Sequence, residues 1–223
     1  FYLGINNSNF YEVIETNSTA SAQQQAQEGN YWDSFLKFNF NYDKRNQKFQ
    51  TSDGFRSFYS LDLPIISDTN TIKNYYNYSH YFDFFEKNFS SISIYLQSAN
   101  SLNNKDIKLS ERINIPSSRL RGFEAGRVGP KDGDDFVGGN YAYSINFASN
   151  IPQLFEESQS IDFLIFADAA DIWGVDYNSS IDGEGIRSSI GVALDWMTPI
   201  GPMSFSFAHP ITKKDGDVTE TFR

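Results

Sequence analysis

Asn140-Tyr-Ala-Tyr-Ser-Ile-Asn-Phe-Ala148 decides how this chain folds. Its odd positions, Tyr141, Tyr143, Ile145 and Phe147, are large and apolar, while its even positions are Asn, Ala or Ser. Successive side chains of a strand point to opposite faces, so this segment has one oily face and one crowded, partly polar face. Working outward, the same period of two recurs. Ile186, Ile190, Val192, Leu194 and Trp196 oppose Arg187, Ser189, Gly191, Ala193 and Asp195. Met203, Phe205 and Phe207 oppose Ser204, Ser206 and Ala208, and Leu36, Phe38, Phe40 and Tyr42 oppose Lys37, Asn39 and Asn41. Eight strands follow, at roughly 31–44, 53–65, 71–85, 88–100, 138–151, 160–173, 185–198 and 201–212, with stubs at both ends. Segment 71–85 is the least regular, because Tyr75, Tyr81 and Phe85 fall on its polar parity.

The connections alternate in length. Those near 50–54, 85–88 and 198–202 are short, and 151–160 is only somewhat longer; 11–30, 102–137, 174–184 and 212–219 are long and polar. Residues 19–28, rich in Ala and Gln, suit a short helix in the first long loop. Short turns on one side and long loops on the other, joining strands near the ~9–11 residues that cross a bilayer at a tilt, fit a transmembrane antiparallel up-and-down β-barrel. A soluble β-sandwich shows similar alternation. The up-and-down series and the small inward residues Ala142, Ser144, Ala148, Gly191 and Ala193 count against it, as do Tyr141, Tyr143, Trp173 and Trp196 near strand ends, where interfacial aromatics fall.

Composition narrows the function. Among 223 residues there are 18 Lys and Arg against 28 Asp and Glu, a net charge of −10, which offers no basic stripe for nucleic acid. Aromatics reach 17 % although the mean hydropathy is −0.47, a combination foreign to disorder. There is no cysteine and there are two histidines, so thiolate chemistry is excluded and imidazole chemistry is poorly supplied. In Ser160–Trp173 the apolar odd positions put Asp162 and Asp168 on the inner face and Asp171 on the other, which does not suit a shared metal ion. No catalytic group, metal site or cofactor is expected.

The long loop carries an island of Arg and Gly, Ser117-Ser-Arg-Leu-Arg-Gly-Phe-Glu-Ala-Gly-Arg-Val-Gly-Pro130. Arg121 is a cation between the apolar Leu120 and Phe123, and Gly122 permits a tight backbone there. Leu120-Arg121-Gly122-Phe123 resembles the V-R-G-F/Y motif of the outer-membrane assembly and two-partner secretion superfamily. Gly129-Pro-Lys131, Val137-Gly-Gly-Asn140, Leu194-Asp-Trp-Met-Thr-Pro-Ile-Gly-Pro202, Phe205-Ser-Phe-Ala-His-Pro210 and Lys214-Asp-Gly-Asp217 resemble further motifs of its assembly-factor branch. The likeness is specific over about 115–223 and architectural over about 1–114.

The resemblance implies that residues 1–223 are the C-terminal part of a sixteen-stranded barrel, with about eight or nine strands present and periplasmic repeats preceding Phe1. The loop at about 102–137 would fold into the lumen. Arg121 would dock on Asp168, the counterpart of a barrel-wall aspartate, while Asn146 stands where the family commonly has a supplementary acid. The implied function is non-enzymatic: folding and inserting β-barrel proteins into the bacterial outer membrane, with unfolded outer-membrane proteins, accessory assembly lipoproteins and the lipid bilayer as partners. Alternatives are a translocation or secretion pore of the TamA or two-partner type, and a passive porin or adhesin barrel.

Overall fold

The computed structural model describes residues 1–152 and 160–223. Nine strands form one antiparallel sheet: β1 (Tyr2–Ile14), β2 (Gly29–Asp43), β3 (Gly54–Ser67), β4 (Thr71–Phe82), β5 (Ser90–Ser101), β8 (Tyr141–Asn150), β9 (Ile161–Trp173), β10 (Arg187–Thr198) and β11 (Gly201–Thr212). Each pairs with its neighbour in sequence order. The one interruption is the long loop, which carries the two-residue strands β6 (Lys131–Asp132) and β7 (Asp135–Phe136) as a small hairpin of its own. Residues 221–223 continue the sheet beside β11: Ser206 and Arg223 exchange both backbone hydrogen bonds, and Phe222 lies opposite Phe207. Among the described residues no helix is long and apolar enough to cross a membrane. The first long loop holds the one-turn helix α1 (Ala22–Gln25), closed by a capping box in which Ser21 and Gln24 satisfy each other's backbone N–H groups.

Two expectations need correction. The N-terminal stub is a full strand, paired with β2 from Tyr2↔Asn41 to Ile14↔Gly29. Asn6-Asn-Ser-Asn9 masks its alternation, because these residues have low strand propensity and the ladder to β2 overrides it. The strand expected over 71–85 is β4, which stops at Phe82, so Phe85 belongs to a turn. Tyr75 and Tyr81 do sit on the inner parity: Tyr75 packs edge-on against Tyr95 at 5.4 Å, and Arg45 lies over the Tyr81 ring. The 151–160 connection lies mostly outside the described residues.

The two faces of the sheet differ as alternation demands. On the open face Ile145, Ile190 and Phe207 are 49 %, 50 % and 55 % exposed. Near its loop-side end Tyr141 and Tyr143 both pack on Trp173, with centroids at 5.7 and 5.8 Å. The opposite face is covered by the loop between β5 and β8. Ala99, Ala142 and Ala170 are buried there beside the loop's Ile107, Ile113, Leu120 and Phe123. Small wall residues let the loop approach closely, so the apolar core lies between loop and wall. Burying each Leu, Ile or Phe contributes about 1.5–3 kcal/mol.

Candidate functional site

Arg121 reaches the wall in the turn, Arg121–Gly122, that follows the 3-10 turn Ser117–Arg119. Its Nε and Nη2 donate to Asp168 Oδ2 and Oδ1, both at 2.8 Å, and its backbone N–H also donates to Oδ2 at 3.1 Å. Asn146 Nδ2 gives Oδ1 a further hydrogen bond at 2.8 Å. A carboxylate offers about four acceptor sites, and all four are used here. Asp168 is a β9 residue at even parity, buried to 2 % exposure, and register places it directly opposite Asn146 on β8. A two-pronged ion pair of this kind contributes about 1.5–3 kcal/mol.

Asn146, standing where the resemblance implies a supplementary acid, acts here chiefly as a donor. It donates twice, to Asp168 and to the Arg119 carbonyl at 2.8 Å, and accepts from Ser144. The reason is electrostatic. Asp168 already carries the negative charge at this point, and an amide next to it supplies hydrogen where a second carboxylate would supply repulsion.

Leu120 and Phe123 are each 2 % exposed, and both lie in the buried cluster that joins loop to wall. Between them Gly122 has φ +92°, and a Cβ there would stand 3.1 Å from Ala208 Cβ and 3.3 Å from Ser189 Cβ. Only glycine meets both the left-handed backbone and the close approach to β10 and β11. Ser189 Oγ donates to the Arg121 carbonyl, fixing the backbone on the far side of the arginine.

Three contributors were not singled out in the sequence. Phe166 places its ring 3.5 Å from the Arg121 guanidinium, a cation–π contact that also shields the ion pair. It is a large aromatic on the small-residue parity two positions before Asp168, and that anomaly was the available signal. Arg187 is 1 % exposed and joins Asp171, Nη1 to Oδ1 at 2.8 Å, to Asp217, Nε to Oδ2 at 3.0 Å. Asp171 has open-face parity, but β10 begins only opposite Ala170, so the Asp171 carboxylate turns past the strand end to meet Arg187 and the Gly185 N–H. Lys108, 5 % exposed, bridges Glu12 at 2.8 Å and Asp33 at 2.9 Å, tying the loop's first part to β1 and β2. Burial pulls the Lys108 pKa down, but hydrogen bonds and charge from Glu12 and Asp33 outweigh it and hold the ammonium above its ordinary value.

Below Arg121 lies a cavity of about 490 Å³, bounded on the turn side by the β2–β3 connection. Gln50 of that connection donates to both oxygens of Asp162, at 3.0 and 3.1 Å. Asp162, Asp168 and Asp171 thus each have separate partners. Among the described residues no group of three or more His, Cys, Asp or Glu is placed to hold a metal ion.

An inner-face arginine loop on an antiparallel sheet with an oily outer face has counterparts among known proteins. The crystal structure of BamA from Haemophilus ducreyi lacking POTRA domains 1–3 superposes with a TM-score of 0.82 at 25 % identity, covering 99 % of this chain and 49 % of that one. The outer membrane protein assembly factor BamA of Neisseria meningitidis serogroup B is 32 % identical over 133 residues, 47 % of this chain and 17 % of that protein. A SAM50-like protein of Schizosaccharomyces pombe is 30 % identical over 139 residues, 57 % of this chain and 28 % of that one. The chain therefore spans less than a third of these curated relatives. The family model for the Omp85 superfamily domain matches residues 3–223, almost the whole sequence. Sheet, loop motif and family model agree, and the chain belongs to the Omp85 superfamily as part of a bacterial outer-membrane β-barrel.

Proposed function

We propose that this chain is the C-terminal barrel portion of an outer-membrane protein assembly factor of the BamA type, which folds and inserts other β-barrel proteins without catalysing a covalent step. The observation that carries this reading is the Arg121–Asp168 fork, which fastens the motif loop to the inner wall. A barrel has no free sheet edge except at its seam, and a seam that pairs poorly presents unpaired N–H and C=O groups to which an incoming strand can add. The docked loop holds the strands near the C-terminal seam in one shape, so the seam is presented reproducibly. Unfolded outer-membrane proteins are the clients, the bilayer is their destination, and accessory assembly lipoproteins are further partners. A passive porin gains nothing from a loop that fills its inner face with buried apolar side chains.

The test is replacement of the native assembly factor in cells by the full-length protein carrying Arg121→Ala or Asp168→Asn. The amount of folded, heat-modifiable client barrels in the outer membrane is then measured. A several-fold fall, with the variant barrel itself still folded, supports the proposal. Normal client assembly by both variants overturns it.

A further inference from the structure

Arg187 is among the largest fully buried side chains, and the docking of Arg121 does not use it. What it joins is informative. On one side stands Asp171 of the wall; on the other stands Asp217, whose Oδ1 also accepts from the Gly129 N–H of the motif loop at 3.3 Å and whose Oδ2 accepts from the Lys214 N–H at 2.8 Å. Directly after Asp217 the backbone runs alongside the loop. Val218 accepts from Glu124 and donates to Arg127, Phe123 lies opposite Thr219, and Glu220 donates to the Gly122 carbonyl. Only then, at Thr221–Arg223, does the same backbone turn its hydrogen bonds to Ala208 and Ser206 of β11. One stretch of main chain is therefore zipped first to the motif loop and next to the sheet.

We propose that Arg187 is a positioning residue that couples loop docking to strand pairing at this end of the sheet. By holding Asp217 it sets the start of the segment 218–223, so a seated loop and a paired 221–223 are one state, and an undocked loop frees the pairing partner of β11. The geometry requires such coupling because Gly122 is itself shared: its N-terminal neighbour Arg121 is fixed on Asp168, and its carbonyl accepts from Glu220. The residue directly after the arginine of the ion pair is thus already part of the ladder that runs on to Thr221–Arg223. This deepens the assembly reading given above and rests on it only for its biological purpose; the coupling itself is a property of the folded chain.

Phe207 and Phe222 supply the readout. They face each other as a pair between the hydrogen-bonded pairs Ser206–Arg223 and Ala208–Thr221, and both side chains lie on the open face. Non-hydrogen-bonded antiparallel pairs bring side chains closest, which suits a disulfide. The experiment uses the full-length protein in lipid vesicles, carrying Phe207→Cys and Phe222→Cys, with the rate of oxidative cross-linking measured under a mild oxidant. Arg187→Gln, Asp217→Asn and Arg121→Ala are added singly, then Arg187→Gln together with Arg121→Ala; Lys37→Met, which removes the Lys37–Asp62 pair elsewhere on the sheet, is the control. The coupling predicts a several-fold slower cross-link for each of the three single variants, no further slowing in the combination, and an unchanged rate for the control. Should Arg187→Gln not fold, Asp217→Asn carries the test, since it leaves Arg187 paired with Asp171. Rates equal to the parent in folded Arg187→Gln or Asp217→Asn overturn the proposal, as does slowing that simply multiplies in the combination. Client assembly is scored in parallel. Slow cross-linking with normal assembly upholds the coupling and removes its assigned purpose, whereas fast cross-linking with lost assembly removes the coupling and leaves the assembly reading intact.

Discussion

Asn146 donates to Asp168 Oδ1 at 2.8 Å, the same oxygen that takes the Nη2 prong of Arg121. Because its amide also holds the Arg119 carbonyl, it links wall and loop twice. Asn146→Leu keeps the volume but deletes both donors, and it leaves a carboxylate oxygen under-satisfied in a buried place. The expected cost is about 1–3 kcal/mol of loop docking. Trypsin cleavage after Arg127, a half-exposed loop residue, should accelerate roughly five-fold to a hundred-fold in the folded full-length protein, since each 1.4 kcal/mol is a factor of ten. An unchanged cleavage rate would show that Asn146 is dispensable.

Arg121 is predicted to tolerate neither shortening nor a point charge. Arg121→Lys loses the fork, because an ammonium cannot serve Nε and Nη2 positions at once or lie flat on Phe166. Arg121→Ala loses the charge as well, although its backbone N–H still reaches Asp168. The loop should undock more often yet remain seated most of the time, because burial of Leu120 and Phe123, at about 1.5–3 kcal/mol each, outweighs a pair worth about the same as one of them. The expected order of protease sensitivity is parent, then Lys, then Ala, with the barrel folded throughout. A Lys variant indistinguishable from the parent would contradict the fork's importance.

Gly122→Ala should be worse than its size suggests. It combines a left-handed backbone, costing roughly 1–2 kcal/mol for a residue with a side chain, with contacts tight against Ala208 and Ser189. A lowered thermal midpoint is expected. Adding Ala208→Gly removes the nearer contact and should recover part of the loss, but not the backbone share. Full recovery would mean that the conformation itself is free of strain.

Lys108 gives a dependence on pH. Its folded-state pKa is raised, so its contribution is complete below the unfolded value of 10.5 and disappears as pH climbs through the higher folded value. Protection of the 105–112 stretch from hydrogen exchange or proteolysis should therefore persist to pH 10.5 and fall above it. Lys108→Met should remove that alkaline step and leave Glu12 and Asp33 facing each other without a cation, loosening the stretch at neutral pH as well. An alkaline step of the same size in the Met variant would assign it to another group.

The sheet could be read in advance because alternation is a local signal: Tyr141 to Phe147 declare their face without reference to any other strand. Loop chemistry was legible where the resemblance supplied a motif, as with Arg121, and where parity placed its partner, as with Asp168. The remainder depends on where strands end. Asp171 meets Arg187 only because β10 starts one residue short of it, and no period reveals such an offset. The Lys108 bridge spans 96 and 75 residues, counted from its partners Glu12 and Asp33, and a lysine in a polar loop otherwise looks solvated. Phe166 broke the pattern visibly, yet the meaning of the break required the guanidinium above it.

Gln50 and Asp162 lie 112 residues apart in sequence, and four strand spacings, β3 to β4, β5, β8 and β9, separate their walls along the ribbon. At about 4.8 Å per spacing the arc between them approaches 19 Å, while the hydrogen bonds close the chord directly. A sheet alters its curvature cheaply, through small changes of twist at every ladder, but it cannot flatten here without stretching that chord. The tie therefore sets the radius of this part of the wall from below, much as a spoke fixes a rim.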